Sequence, residues 1–236
     1  MIHAVEAMAR KEGDPGGATT AEFANLVTDD DDSPTHTDAM QSGERKQWDD
    51  ACQNEADALS RTLTWELVYV KPGDINRIMK SRWVLKRKRG PDGSTLKCES
   101  RLVACGHSQL DPLFEERFAP TMRMSTLRIL FVIANAMGWR ITIADVDNAF
   151  LHGTLDKPEY MSAPKGFSKY VKQFKAGMVI KLIKSIYGLK NSAAVWSRTL
   201  GTFLKEHGFL RLVSDPGVFK HRRGKVACII GSWVDD

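Results

Sequence analysis

Trp233-Val234-Asp235-Asp236, set beside Ala144-Asp145-Val146-Asp147 about ninety positions earlier, is the pair of stretches on which the reading of this chain turns. Each is a short apolar run that delivers carboxylates at its end. Three carboxylates gathered from two such runs are a donor set for a pair of divalent cations in phosphoryl transfer. Taken singly, each piece has a plainer reading: an acidic dipeptide is a solvated tail, and an Asp after an apolar run is a turn or a cap. The weight therefore falls on the ordered segments around them.

The chain has 236 residues, 42% of them apolar and 27% charged, the composition of a soluble globular protein. Its charge is unevenly spread. Residues 1–64 carry five Lys and Arg against fourteen Asp and Glu, net −9, whereas residues 65–236 carry twenty-nine against fifteen, net +14. A body this basic suits a polyanionic partner such as nucleic acid, the plainer alternative being a merely solvated basic surface. Cys52, Cys98, Cys105 and Cys228 show no CxxC spacing, and the N-terminus has no basic-then-apolar leader. A reduced intracellular setting, cytoplasmic or nuclear, is therefore expected. Cys98, Cys105 and His107 do not match the ligand spacing of a common zinc module. No apolar run approaches the length of a membrane span.

Residues 1–44 mix Gly, Thr, Ser and Pro with the run Asp29-Asp30-Asp31-Asp32, a composition that cannot bury enough apolar surface to offset ordering entropy, and are expected to be a disordered acidic linker. The folded part is expected over 45–236. Trp48, Ala51, Cys52, Ala56, Leu59 and Leu63 recur at helical spacing, and Trp65 to Val70 reads as a strand stopped by Pro72-Gly73. Arg82 to Arg89 and Leu96 to Cys105 are β-rich and flank Gly90-Pro91-Asp92-Gly93, which predicts a heavily cationic hairpin. Such an arm either is solvated or covers phosphates. Ser125 to Met137 predicts an apolar helix capped by Ser125 or Thr126 and ended by Gly138. Trp139 to Val146 alternates as a core strand whose end presents Asp145, followed by a short helical or loop segment to Gly153. Val179 to Ile183 predicts a strand and Ser192 to His207 a helix closed by Gly208. Two further β runs, from Gly217 and from Val226, flank the basic turn His221-Arg222-Arg223-Gly224. Helices interleaved with antiparallel hairpins make this an α+β chain without a fixed repeat.

From Trp48 to Asp236 the chain resembles the reverse transcriptase of Ty1/copia-type LTR retrotransposons. The resemblance is carried by ordered segments: Thr64-Trp65-Glu66-Leu67-Val68, Arg101-Leu102-Val103-Ala104, Arg117-Phe118-Ala119-Pro120, Asp145 through Gly153 (DVDNAFLHG), Pro164-Lys165-Gly166-Phe167, Lys184 through Lys190 (KSIYGLK) and Trp233-Val234-Asp235-Asp236. It implies a fingers-and-palm polymerase fold. Asp145 would lie on one palm strand and Asp235-Asp236 at the tip of a palm hairpin, the three serving as catalytic and metal-binding carboxylates for two Mg²⁺ ions. Asp147 either supplements them or is a surface residue. Phe150 would block a ribose 2′-hydroxyl, with burial beneath the site as the structural alternative. Lys97 and Arg101 resemble contacts to an incoming deoxynucleoside triphosphate, with solvated strand charges as the alternative. Tyr187, Gly188 and Lys190 resemble the loop that abuts nucleotide and template. The implied partners are an RNA or DNA template with its primer, and the integrase and RNase H domains of a polyprotein.

The sequence also departs from the family's pattern. Glu99 stands where a second Lys is common, Trp233 replaces the usual Tyr, Ala104-Cys105-Gly106-His107 is less basic than expected, and Gln109 to Phe114 lacks an expected Gly. The last residue is Asp236, so the resemblance leads us to expect a truncated copy, incomplete at the C-terminus, without the return strand, primer-gripping segment, thumb or RNase H domain. The reaction implied is attack of a primer 3′-hydroxyl on a deoxynucleoside triphosphate. The alternatives are a non-catalytic nucleic-acid-binding remnant and an inactive relic.

Overall fold

A computed structural model describes residues 2–6, 32–70, 78–109, 117–223 and 226–233. Asp235 and Asp236 lie outside the described residues, as does Pro72-Gly73. In chain order the elements are β1 (Ile2–Glu6), α1 (His36–Gln41), α2 (Arg45–Arg61), β2 (Trp65–Tyr69), β3 (Ser81–Arg89), β4 (Thr95–Ala104), α3 (Met124–Met137), β5 (Thr142–Val146), β6 (Thr154–Met161), α4 (Phe167–Tyr170), β7 (Met178–Lys184), α5 (Ser192–Glu206), β8 (Leu210–Arg211), β9 (Val218–Arg223) and β10 (Val226–Gly231). Short 3₁₀ turns follow β4 (Gly106–Ser108) and β5 (Ala149–His152). Helices and antiparallel sheets therefore alternate along the chain, as the α+β reading requires.

The core forms where the sequence periods are cleanest. Trp48, Ala51, Cys52, Ala56 and Leu59 line the buried face of α2. Leu63 does not continue that face: it has φ 53° and is 73% exposed, because the helix has already ended at Thr62. Trp83 and Leu85 alternate inward along β3 while Arg82, Val84 and Lys86 face outward, the period of two expected of a half-buried strand. The β3–β4 turn has Gly93 at φ +78°, and Asp92 Oδ1 accepts from the Ser94 N–H (3.1 Å) and hydroxyl (2.7 Å). A second antiparallel sheet, β2-β7-β6, places Ile180 and Leu182 in the same core. Phe167 joins the two sheets, with Trp65 edge-on at 5.5 Å, Trp83 stacked at 6.4 Å and Phe174 edge-on at 5.2 Å.

Leu182 is fully buried on the central strand β7, opposite Trp65 on one side and Glu159 on the other. Leu182→Ala is expected to cost about 2–5 kcal/mol in urea unfolding through lost burial and a residual cavity. A loss under about 1 kcal/mol would contradict this packing.

Three expectations require correction. Helix α1 lies inside the stretch read as a linker, with Ala39 fully buried in the core and Asp38 N–H capped by Thr35. Neither Ser125 nor Thr126 caps α3. The N-cap is Arg123, and the buried Asp215, from a distant loop, accepts both the Arg123 N–H (3.0 Å) and the Thr126 hydroxyl (2.6 Å). The Thr126 hydroxyl and the Arg123 N–H hold the Asp215 carboxyl below the usual carboxylate range. Nor is β5 a core strand. Thr142 through Asp145 are all exposed, Ile143 at 64%, because β5 pairs only with β1 among the described strands. β9 and β10 form a separate sheet with β8.

Candidate nucleotide and template cleft

The site begins with the way the Tyr187 loop is strapped to the end of β4. Ala104 N–H donates to the Tyr187 carbonyl at 2.9 Å and Gly106 N–H to the Gly188 carbonyl at 3.1 Å. Gly188 sits at φ +90°, and a Cβ there would lie 2.1 Å from the Ala104 carbonyl oxygen. Only glycine permits this approach. Tyr187 thereby meets two side chains far from it in sequence. The Arg101 guanidinium lies over its ring at 4.4 Å, and Phe150 packs edge-on against it at 4.9 Å. The Phe150 turn is held in its own right, since the buried Ser185 hydroxyl donates to the Phe150 carbonyl at 2.5 Å and Ser185 N–H to the Gly153 carbonyl at 2.8 Å.

Arg101, Phe150 and Tyr187 line a cleft of about 1380 Å³ that is also lined by Asp145 on β5, Asp147 in the turn after it, and β10 on to Trp233. Asp145 and Asp147 are exposed. The cleft thus brings together Asp145, Lys97, Arg101, Phe150 and Tyr187 from the candidate set. Gly188 and Lys190 do not line the cleft; they belong to the loop that carries Tyr187, with Lys190 bonded to Gln109. Among the described residues no group of three or more His, Cys, Asp or Glu side chains is placed to hold a metal ion. Asp145 and Asp147 offer hard carboxylate oxygens of the kind Mg²⁺ takes.

The hairpin's charge is partly neutralised at home. Lys88 and Lys97 both pair with Glu99, at 3.0 and 3.2 Å. Burial alone would raise the Glu99 carboxyl, but hydrogen bonds from the two ammonium groups override it and hold the carboxyl below its usual range. Glu99, which stands where a second Lys is common in the family, is the counter-ion of two lysines. Arg87 pairs with Glu44 (2.5 Å) and Asp32 (3.5 Å), and Arg89 with Asp32 (2.7 Å), so acidic residues flanking α1 meet the turn end of β3. Sequence reasoning missed Glu55 on α2. It lines the cleft beside Arg101 and accepts the Leu102 N–H at 3.0 Å. Burial pushes its carboxyl up, against the opposing pull of that N–H and of Arg101.

The sequence family described as reverse transcriptase (RNA-dependent DNA polymerase) matches residues 62–236, and the chain belongs to it. Its relatives are Pol polyproteins of Ty1/copia-type retrotransposons. The chain is 36% identical over 199 residues to the retrovirus-related Pol polyprotein from transposon RE1 of Arabidopsis thaliana, covering 84% of this chain and 13% of that protein. It is 33% identical over 213 residues to the corresponding polyprotein from transposon TNT 1-94 of Nicotiana tabacum, covering 89% and 16%. Similarity extends to the Ty1-BL Gag-Pol polyprotein of Saccharomyces cerevisiae, 26% identical over 196 residues, covering 81% and 10%. No solved structure gives a significant match. No helix among the described residues is long and apolar enough to cross a membrane.

Proposed function

We propose that this chain supplies fingers and palm elements of an RNA-directed DNA polymerase, acting on a primer annealed to an RNA or DNA template within a polyprotein that also carries integrase and RNase H. The observation that supports this reading best is the Arg101–Tyr187–Phe150 stack lining one cleft with Asp145, in a chain of the reverse transcriptase family. Asp145, Asp235 and Asp236 would hold two Mg²⁺ ions, with Asp147 near enough in sequence to assist. When bound there, the ions would lower the pKa of the primer 3′-hydroxyl and neutralise charge on the phosphates. Arg101 offers a fixed cation to the triphosphate, its guanidinium oriented by the Tyr187 ring. Lys97 adds a second positive charge that Glu99 tethers to the same strand. Phe150 closes the sugar side, where an aromatic edge excludes a 2′-hydroxyl. Tyr187 and the glycine behind it set the floor on which the nucleotide rests.

The test is extension of a labelled primer on an RNA template by a Pol polyprotein polymerase that carries this segment, with and without Mg²⁺ and with deoxy- or ribonucleoside triphosphates. Mg²⁺-dependent extension that prefers deoxynucleotides is expected, and metal-independent or ribonucleotide-selective synthesis would overturn the reading. Binding of primer–template should fall steeply with salt, because residues 65–236 carry a net charge of +14. A gel-shift titration is expected to lose a decade or more of affinity between low and physiological ionic strength, about what several phosphate contacts produce. A flat salt response would contradict phosphate binding by this body.

A further inference from the structure

We infer that Gln109 is the positioning residue of the nucleotide-facing loop, a role that rests on the polymerase reading of the cleft and adds to it a residue outside the cleft itself. Gln109 follows the 3₁₀ turn after β4 and is only 3% exposed. Its amide oxygen accepts the Lys190 N–H at 2.9 Å, and its main-chain carbonyl accepts Lys190 Nζ at 3.3 Å. Its amide nitrogen donates to Glu159 Oε1 on β6 at 2.9 Å and to Asn191 Oδ1, at the start of α5, at 3.4 Å. The amide can face only one way, since a main-chain N–H must be given an acceptor and a carboxylate must be given a donor. One side chain thus ties together the end of β4, the strand β6 and the entry to α5.

The consequence for the loop is mechanical. Tyr187 and Gly188 are pinned to β4 through their carbonyls, and Lys190 is pinned through its N–H by Gln109, so both ends of the turn carrying the Tyr187 ring are fixed to the same framework. Asn191 makes no side-chain cap to its own helix and spends its carbonyl on Gln109 instead. Gln109 itself is buried, so removing its amide takes away the partner that the Lys190 N–H and the Glu159 carboxylate share, and they re-pair by moving. The ring and the Arg101 guanidinium stacked on it would move with them.

The test is equilibrium titration of primer–template-bound protein with a fluorescent deoxynucleoside triphosphate in Mg²⁺, alongside circular dichroism to establish folding. Gln109→Leu and Gln109→Glu are each expected to weaken nucleotide binding on the order of tenfold, the first by deleting the bonds and the second by setting one carboxylate against Glu159. The exchanged pair Gln109→Glu with Glu159→Gln restores a donor facing an acceptor and leaves an oxygen for the Lys190 N–H. It is expected to return affinity to within about threefold of the parent, a rescue that mere filling of space would not produce. Tyr187→Ala serves as the control for the site. Parent-like binding by Gln109→Leu while Tyr187→Ala weakens it would overturn the inference and leave the polymerase reading standing. A folded exchanged pair that binds no better than Gln109→Glu would also overturn it. Loss of folding in Gln109→Leu transfers the decision to the exchanged pair. Absence of nucleotide binding by the parent, or indifference to Tyr187→Ala, would remove the reading of the cleft and this inference with it.

Discussion

Gly188→Ala is expected to lower the melting temperature by about 5–10 °C and to abolish measurable nucleotide binding. Two effects add. At φ +90° an alanine is strained by about 1–3 kcal/mol. Its Cβ would also stand 2.1 Å from the Ala104 carbonyl oxygen and 2.6 Å from Val103 Cγ1. The Ala104 backbone cannot yield as a side-chain tip would, so the loop must lift from β4, breaking the bonds at the Tyr187 and Gly188 carbonyls and carrying Tyr187 away from Arg101. Thermal melting and a nucleotide titration check this together. A variant that melts within about 2 °C of the parent and binds nucleotide normally would show that the strapped loop is not the floor of the site.

Asp145→Asn is expected to reduce RNA-templated primer extension on the order of a thousand-fold while leaving stability unchanged within about 0.5 kcal/mol. The separation of the two effects follows from where the residue sits. Asp145 is exposed on β5, with no core contact to lose, and Asn keeps its shape. What Asn removes is the negative charge, and a neutral amide is a poor ligand for a hard divalent cation whose other neighbours are phosphate oxygens. Extension measured at saturating nucleotide, with a urea titration on the same preparation, distinguishes lost chemistry from lost structure. Parent-like extension by Asp145→Asn would exclude this carboxylate from the reaction.

The elements legible in the sequence are those whose signals are local. The period of α2 from Trp48 to Leu59, the Asp92-Gly93 turn between two β-rich runs, and Gly138 and Gly208 ending their helices each needed only near neighbours, and each is found where expected. β6 escaped notice because Thr154–Met161 shows no alternation and has Pro158 at its centre, where the pairing with β7 shifts register between Thr154 and Glu159. The cap of α3 was misplaced because its acceptor, Asp215, is about ninety residues away. The exposure of β5 is likewise a tertiary fact, invisible to a pattern of alternating Ile and Thr. In the site, Arg101, Phe150 and Tyr187 entered through resemblance, since no spacing rule brings residues so far apart to one ring stack. Gln109 had no local signal at all, because its partners Glu159 and Lys190 lie 50 and 81 positions away. The pairing of Glu99 with Lys88 was likewise beyond local reading, since Lys88 lies on the other strand of the hairpin.

The central claim, that the Arg101–Tyr187–Phe150 face of the cleft receives the incoming nucleotide, is tested most directly by the affinity of Arg101 variants for a deoxynucleoside triphosphate in Mg²⁺ with primer–template bound. Arg101→Ala is expected to lose at least about tenfold and Arg101→Lys an intermediate amount, since lysine keeps the charge but not the planar stack on Tyr187. Equal affinity in Arg101→Ala and the parent would contradict the account.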